Sequence, residues 1–219
     1  MNRRHIIPVF WLLSLPLFGQ LNLKAGYCLS FLNAPSHDAI IQAHNASLAD
    51  AYSDPFKPLD LLHGLDLGLE YRWDGIALEA GWRTKRNRQD ASGSRSQLTF
   101  NNKLNCSLSS FYVGLVQYYR PVRISASVDY NYMRTKLDFE DPSLLTTLKD
   151  QAWGSTFSLG FVLSGTGNVS LVLAPYAQFH WTKYDMTQLH DVLTDSPDPP
   201  AAEDFFNYGF TLYFLNGPH

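Results

Sequence analysis

The sequence is poor in charge, and it has no long hydrophobic run after its N-terminus. Asp, Glu, Lys and Arg make up 17% of the 219 residues, which is little for a soluble protein of this size. Yet no stretch of about 18 apolar residues, the length of a membrane-spanning helix, follows the first 20 residues, and the mean hydropathy is only -0.17. These two shortages exclude transmembrane helices and argue against an ordinary soluble surface.

Several functional signatures are also missing. The formal net charge is -3, which argues against a nucleic-acid partner. The sequence contains no glycine-rich phosphate loop and no diagnostic spacing of metal ligands. We therefore predict no cofactor and no metal site.

What the sequence does contain is alternation with a period of two. In residues 65–84, apolar and aromatic side chains alternate with glycine and charged ones on both sides of Asp74-Gly75. An Asp-Gly pair favours a type I′ hairpin turn, because both central residues of that turn need a positive φ. A ribbon with one apolar face and one polar face is typical of a transmembrane β-hairpin.

The same alternation recurs and predicts eight strands. We expect them at residues 21–31, 65–73, 76–84, 98–119, 122–132, 153–163, 169–181 and 206–214. Long connections alternate with short turns, as they do in barrels of the bacterial outer membrane. The sequence thus predicts an all-β fold, an eight-stranded up-and-down antiparallel transmembrane β-barrel with long extracellular loops and short periplasmic turns.

The long connections carry weaker signals. We expect a short helix in the first connection, capped by Ser36 and carrying Ile40, Ile41 and Leu48 on one side. Residues 85–97 are expected to form a polar, basic loop, and residues 141–149 a short helix. A further amphipathic helical turn is expected around residues 186–193.

The fourth predicted strand changes phase along its length. Leu104 and Leu108 are apolar in the phase that is polar further on, towards Tyr119. Either a β-bulge near residues 109–110 or a strand that continues above the membrane would explain this change.

Two segments define the predicted domains. Residues 1–20 read as a signal peptide, with Arg3 and Arg4 before an apolar stretch. Residues 21–219 are expected to form a single outer-membrane barrel domain. Cys28 and Cys106 fall on strands that are not neighbours, so we expect two inward-facing thiols and not a disulfide.

Alternation alone leaves open which face is the interior, since a secreted ligand-binding barrel would be apolar inside. Glycines and balanced charges in the polar phase, and aromatic residues at both ends of the apolar phase, favour the membrane barrel. We expect a packed interior, closed by a charge network, although an ion-conducting lumen is the alternative. The predicted network comprises Lys24, Asp66, Glu70, Arg72, Glu79, Arg123 and Asp129.

This pattern, including the aromatic-rich last strand at residues 206–214, resembles the small bacterial outer-membrane barrels of the OmpA/OmpX-like "porin family" type. The resemblance covers nearly all of the chain after residue 20. It implies export to the outer membrane, contact with outer-membrane lipid and lipopolysaccharide, and insertion by the barrel-assembly machinery. An envelope or secretion-system protein is a possible further partner.

A basic run is expected at the outer rim, where arginine is well shaped to contact lipopolysaccharide phosphates. A solvated loop is the alternative. The residues concerned are Arg83, Lys85, Arg86, Arg88 and Arg95.

Five histidines also map to the extracellular end: His37, His44, His63, His180 and His190. A lipid-modifying enzyme of the acylation or deacylation type would use such rim histidines beside acids. No local motif of such an enzyme is visible in the sequence. We therefore predict a non-enzymatic barrel with no catalytic residues.

Overall fold

A computed structural model describes residues 19–95, 98–139, 146–166, 169–194 and 202–216. The first helix is α1 (Pro35–Ser47) and the second is α2 (Thr187–Leu193). The strands are β1 (Gln20–Asn33), β2 (Tyr52–Asp54), β3 (Leu61–Trp73), β4 (Ile76–Arg95), β5 (Leu98–Tyr119), β6 (Val122–Asp138), β7 (Thr146–Thr166), β8 (Val169–His180) and β9 (Phe206–Asn216).

Eight of these strands close into an antiparallel barrel. Each pairs with its neighbours along the chain, apart from the short β2, and β1 pairs with β9 to complete the circle. The β2 strand pairs only with the outer part of β4. The predicted eight-stranded up-and-down barrel is therefore confirmed, with one additional short strand.

The β3–β4 hairpin closes at the predicted Asp74-Gly75 turn. Asp74 has a φ of 40° and Gly75 a φ of 83°, so both central residues are in the left-handed region that a type I′ turn requires. Trp73 is paired with Ile76 directly beside this turn. The turn thereby sets the register that keeps the apolar residues of both strands on one face.

The outward face of the barrel is apolar. Leu21, Leu115 and Phe157 expose 63%, 58% and 55% of their surface, and the alternate residues of the same strands point inward and are largely buried. One register row crosses β4 to β7 with aromatic side chains, Trp82, Phe111, Tyr130 and Trp153. An apolar belt bounded by aromatic residues faces lipid, whereas a soluble barrel would turn the polar face outward.

Strand β4 is longer than the sequence predicts, whereas β5 has the predicted bounds. They pair without a register shift from Ile76↔Gln117 to Arg95↔Leu98, so the predicted loop at residues 85–97 is wrong for residues 85–95. Residues 96 and 97 lie outside the described part of the chain. The continuous register also excludes a bulge near residues 109–110. The alternative explanation is therefore confirmed, and the strand continues above the membrane.

Two helix predictions need correction. Residues 146–149 belong to β7, where they pair with β6, so the predicted helix at 141–149 is wrong there, and 141–145 are outside the described residues. The first helix does form, but Ala34 is its N-cap residue and Pro35 begins it, so Ser36 is not the cap. Proline suits that first position because its missing N–H has no partner in a helix.

Above the membrane, α1 and α2 cover the open end of the barrel. Many inward side chains in the outer parts of β5 to β7 are apolar, and they pack against apolar side chains of the two helices and the adjoining segments. This upper core includes Ile40, Ile41, Phe56, Leu59, Leu104, Leu108, Met133, Leu137, Phe139, Tyr184, Met186, Leu189, Leu193 and Phe205. The phase change in β5 therefore marks the passage from a polar to an apolar interior.

Neither described helix is long and apolar enough to cross a membrane.

The orientation of the belt predicts where a charge is tolerated. Leu69→Arg, in the lipid-facing belt, should lower the free energy of unfolding by about 2–4 kcal/mol, because a cation is placed in hydrocarbon. Ala43→Arg, on the exposed side of α1, should change it by less than about 0.5 kcal/mol. Denaturant unfolding in lipid vesicles measures both variants. Equal losses would contradict the orientation.

Candidate functional site

A chain of six charged side chains fills the membrane-level interior. Arg123, 2% exposed, donates from Nη2 to Glu70 Oε2 at 2.6 Å and to Glu79 Oε2 at 2.7 Å. Lys24 Nζ lies 2.6 Å from Glu79 Oε1 and 3.3 Å from Asp66 Oδ2. The chain ends at Arg83, whose Nη2 is 3.1 Å from the same Asp66 oxygen.

Tyrosines complete this network. Tyr112 donates its hydroxyl to Asp66 Oδ1 at 2.8 Å, and its ring lies 5.2 Å from Lys24 Nζ. The Tyr213 ring faces the same ammonium at 4.8 Å, and Tyr118 donates to Glu70. Hydrogen bonds and ring faces thus replace part of the water that the buried charges have lost.

A second layer lies nearer the extracellular end. Lys85 is fully buried and donates to Asn207 Oδ1 at 2.9 Å and to Gln178 Oε1 at 3.2 Å. The amide nitrogen of the same Gln178 donates to Asp129 Oδ2 at 2.9 Å. The Gln178 amide therefore links Lys85 to Asp129, a cation and an anion that do not contact each other directly.

Below the lid, the barrel interior of the described chain is electrically balanced. Four buried cations, Lys24, Arg83, Lys85 and Arg123, face four buried anions, Asp66, Glu70, Glu79 and Asp129. The void beside the lower network measures about 20 Å³, room for about one water molecule. Balanced charges and a small void are typical of a packed interior.

Seven residues are predicted for the network, and the structure brings five of them into one chain of contacts: Lys24, Asp66, Glu70, Glu79 and Arg123. Asp129 lies in the second layer, and Arg72 lies at the edge of the network. Arg72 is only half-buried, and its guanidinium stacks on the Tyr118 ring at 4.0 Å. The predicted set omitted Arg83 and Lys85. Both residues are an even number of positions from Glu79 on β4. They therefore lie on the same face of the strand as Glu79, which assigns them to the interior.

Removing the central cation tests the network. Arg123→Ala leaves two buried carboxylates without their shared partner, so it should lower the free energy of unfolding by about 3–5 kcal/mol. Arg72→Ala, which removes a half-buried guanidinium, is the matched control and should cost clearly less. Urea unfolding in vesicles gives both values. Similar losses for the two variants would contradict a special role for the buried network.

In the lid formed by α1 and α2, His44 links three elements. Its Nδ1 is 2.9 Å from the carbonyl oxygen of Leu193, at the end of α2, and its Nε2 is 3.0 Å from the Tyr52 hydroxyl on β2. The ring also stacks on Phe139 at 5.7 Å. These contacts fit a neutral imidazole that donates from Nδ1 and accepts at Nε2.

A second contact within the lid, between His37 and Glu203, joins α1 to the segment before β9. The backbone N–H of His37 donates to Glu203 Oε2 at 2.9 Å, and Glu203 exchanges two backbone hydrogen bonds with Tyr184. Burial raises the pKa of the Glu203 carboxyl, although hydrogen bonds from α1 act in the opposite direction. The His37 ring is fully buried, with Nδ1 3.5 Å from Asp38 Oδ1.

The other histidines are also held by structural contacts. His63 Nδ1 bonds the Tyr27 hydroxyl at 2.8 Å, and His180 Nδ1 contacts the Phe205 carbonyl oxygen. His190 is buried, with Nδ1 3.5 Å from Asp191. Among the described residues, no three His, Cys, Asp or Glu side chains are grouped so that they could hold a metal ion.

The lid should loosen in acid because of His44. Burial lowers the pKa of its imidazole, and the bond to Leu193 offsets only part of that effect. When the lid opens, the His44 imidazole returns to water and its pKa rises to the ordinary value. The open state therefore binds a proton more tightly than the closed state, and the closed lid loses stability as the pH falls below about 6.5. Hydrogen exchange of α1 amides should be faster at about pH 5.5 than at about pH 7.5, after correction for intrinsic rates.

Two variants isolate this effect. His44→Phe keeps the aromatic contacts and removes the titrating imidazole, so most of the loosening in acid should be lost. Glu203→Gln removes a carboxyl whose raised pKa favours the closed lid in acid, so it should leave the His44-dependent loosening in place. Loosening in acid that is as large in His44→Phe as in the wild type would contradict the assignment.

The exposed cations form a band on the outer face of β4 to β7. Arg86, Arg134 and Lys149 lie on one register row, through Ser107 of β5. Each is four residues above the aromatic row, or about 13 Å along its strand. Arg88 and Lys136 lie on the next outward-facing row, two residues further along their strands, and form exposed ion pairs with Asp90 and Asp138.

The residues predicted to bind phosphate lie on two opposite faces of β4, because successive residues of a strand alternate between its faces. Arg86 and Arg88 point outward, whereas Arg83 and Lys85 point into the barrel. The prediction that Arg83 and Lys85 contact lipopolysaccharide is wrong, because their charged groups are buried and engaged by interior partners. The side chain of Arg95 lies outside the described residues. Sequence reasoning missed the three cations on β6 and β7.

No known family and no curated protein matches this sequence. Among solved structures, Ail, the attachment invasion locus protein of Yersinia pestis, aligns with a TM-score of 0.53 and 10% identity, covering 91% of this chain and 99% of Ail. The fold is that of a small outer-membrane barrel. Neisserial surface protein A aligns with a TM-score of 0.45 and 9% identity over 91% of this chain and 99% of its own.

OprG of Pseudomonas aeruginosa gives a TM-score of 0.41 at 9% identity, covering 92% of this chain and 97% of OprG. At such identities the likeness to Ail concerns the fold alone. It agrees with the closed topology and the lipid-facing belt, and together these features place the protein in the bacterial outer membrane. The expected resemblance to small outer-membrane barrels is confirmed.

Proposed function

We propose that the protein is a non-enzymatic outer-membrane barrel that contacts lipopolysaccharide through its outer cationic band. The band consists of Arg86, Arg88, Arg134, Lys136 and Lys149. The observation that carries the proposal is the position of this band, which begins about 13 Å along the strands above the aromatic row that marks the edge of the lipid-facing belt. Phosphate groups of the outer leaflet lie on the water side of that edge, and arginine and lysine bind them well.

The charge pattern of the band supports this assignment. Arg86, Arg134 and Lys149 are exposed, and among the described residues they form no ion pair. The cations that do have acidic partners, Arg88 and Lys136, hold them only in exposed pairs, which contribute little and exchange easily with another anion. Ail was crystallised in complex with the heparin analogue sucrose octasulfate, which is a polyanion.

The histidine contacts favour a non-enzymatic role over lipid modification. A general base needs a ring nitrogen near a nucleophile or substrate. The His44, His63 and His180 rings instead bond a tyrosine hydroxyl or a backbone carbonyl. The buried charge network supports a closed interior in place of a conducting lumen. Insertion by the barrel-assembly machinery is expected of this fold and remains a prediction.

Binding to lipopolysaccharide tests the proposal. The triple variant Arg86→Ala, Arg134→Ala, Lys149→Ala should bind about a hundredfold more weakly, since each interfacial cation contributes about 1 kcal/mol. Titration of the purified barrel in neutral nanodiscs with labelled lipopolysaccharide measures this change. The wild-type affinity should also fall with added salt.

The matched control removes three exposed cations elsewhere: Lys57→Ala, Arg120→Ala, Lys183→Ala. It has the same net charge as the band variant and should keep most of the affinity. Lipid A without its phosphates should bind both proteins weakly. If the two triple variants lost the same amount of affinity for lipopolysaccharide, the loss would follow from net charge alone. That result would contradict the proposed site.

A further inference from the structure

An apolar groove crosses the lipid-facing side of the barrel from β4 to β8. Its volume is about 820 Å³, which is in the range of sites that hold small organic ligands. Two rows of paired outward residues line it. The lower row begins at Ile76 and includes Leu159, and the upper row consists of Leu115, Ala126, Phe157 and Ala177.

Short side chains make this part of the surface concave. Ala126, Ala177 and Pro175 project little from the sheet, whereas the side chains around them are longer. Beneath the groove, the hydroxyls of Ser125 and Ser158 bond each other at 2.6 Å, and the void on the inner side of these two serines is only about 20 Å³. The groove is therefore closed towards the interior, and a molecule bound in it remains outside the barrel.

The groove lies in the periplasmic half of the lipid-facing belt. Its upper row is four residues below the aromatic row, as Leu115 is below Phe111 on β5, which is about 13 Å along the strand. Its lower row begins at Ile76, directly after the β3–β4 turn at the periplasmic end. A chain from the periplasmic leaflet therefore reaches the groove directly, whereas one from the extracellular leaflet has to extend well below the aromatic row.

The groove has the surroundings and the dimensions of a site for a hydrocarbon chain. It belongs to the lipid-facing belt, and its lining is mainly apolar. It spans five strands, or four spacings of about 4.8 Å, so it is about 19 Å long. One leaflet of membrane hydrocarbon is about 15 Å thick. A single acyl chain that lies obliquely across the strands can therefore occupy the whole groove.

A cation lies near the periplasmic end of the groove. Gln117 lines that end, and Arg120 is exposed three residues further along the chain, at the β5–β6 turn. Three strand residues span about 10 Å. Arginine is well shaped to bind phosphate, and a cation at the membrane surface attracts anionic lipids. The groove and Arg120 thus match the acyl chain and the headgroup of one anionic phospholipid.

We propose that the groove binds one anionic phospholipid of the periplasmic leaflet, with an acyl chain across β4 to β8 and its phosphate beside Arg120. The chain fills the hollow over Ala126, Ala177 and Pro175, where mobile bulk lipid would make fewer contacts. The headgroup neutralises the cation at the membrane surface. This lipid is held at the opposite end of the outer face from the lipopolysaccharide contact, so the two sites are independent.

Photo-cross-linking tests the proposal on the full chain in phosphatidylcholine nanodiscs. The probe is phosphatidylglycerol with a photoreactive group on one acyl chain, and cross-linked residues are identified by mass spectrometry. Leu115 in the groove and Leu23 on β1, outside it, both expose 58% of their surface. At a low share of probe, labelling of Leu115 should exceed that of Leu23 about fivefold. It should saturate as the share rises, whereas labelling of Leu23 should rise in proportion.

Two variants define the hollow and the cation. The double variant Ala126→Phe, Ala177→Phe fills the groove and should remove the preferential labelling. Its matched control, Ala25→Phe, Ala80→Phe, adds the same two rings to outward positions outside the groove and should keep it. Arg120→Gln leaves the groove intact and removes the cation, so it should lower the preferential labelling about fivefold. This variant tests the site even if the filled one does not fold.

Three results would overturn the proposal. One is labelling of Leu115 and Leu23 that is equal and proportional to the share of probe, which would mean that bulk lipid covers the groove. Another is saturable labelling by acyl-labelled lipopolysaccharide and not by the phospholipid, which would assign the groove to the extracellular leaflet. The third is weak labelling of Leu115 in nanodiscs that hold a dimer, which would assign the groove to a second copy of this chain.

Discussion

Arg123 lies between Glu70 and Glu79 in the centre of the barrel, and the closed fold depends on such shared ion pairs. Each charge at this depth is stabilised only if its partners are in place, because water is nearly absent. The partners come from different strands, Glu70 from β3, Glu79 from β4 and Arg123 from β6. The network therefore requires the strands to close in one register, and the apolar outer face then follows from strand alternation.

Two kinds of interior are stacked in this molecule. At membrane level the interior is polar and balanced, since the outward residues must be apolar. Above the membrane the outward residues meet water, and the inward ones, such as Leu104 and Leu108, become apolar. The helices close this upper core as a lid. The outer face of the extended sheet is then a surface left for function, because most of the interior is occupied at both levels.

Strand alternation predicted the barrel, its lipid-facing phase and most of the buried network. Parity on β4 separates Lys85, which is buried, from Arg86, which is exposed, although the predicted phosphate-binding run contains both. The strand ends were missed because polarity reverses above the membrane, so residues 85–95 have the composition of a loop. The contact between His44 and Leu193 joins residues far apart in loops without periodicity, and no local pattern reports it.

The central claim is that the interior charges act as one coupled network, and a double-mutant cycle on Lys24 and Glu79 tests it most directly. The two side chains meet at 2.6 Å. Lys24→Met, Glu79→Gln and the double variant are unfolded with urea in lipid vesicles. We predict that each single variant loses more stability than the double variant, with a coupling energy of about 1–3 kcal/mol. Losses that simply add would contradict the account, since they would show that the buried charges are independent of one another.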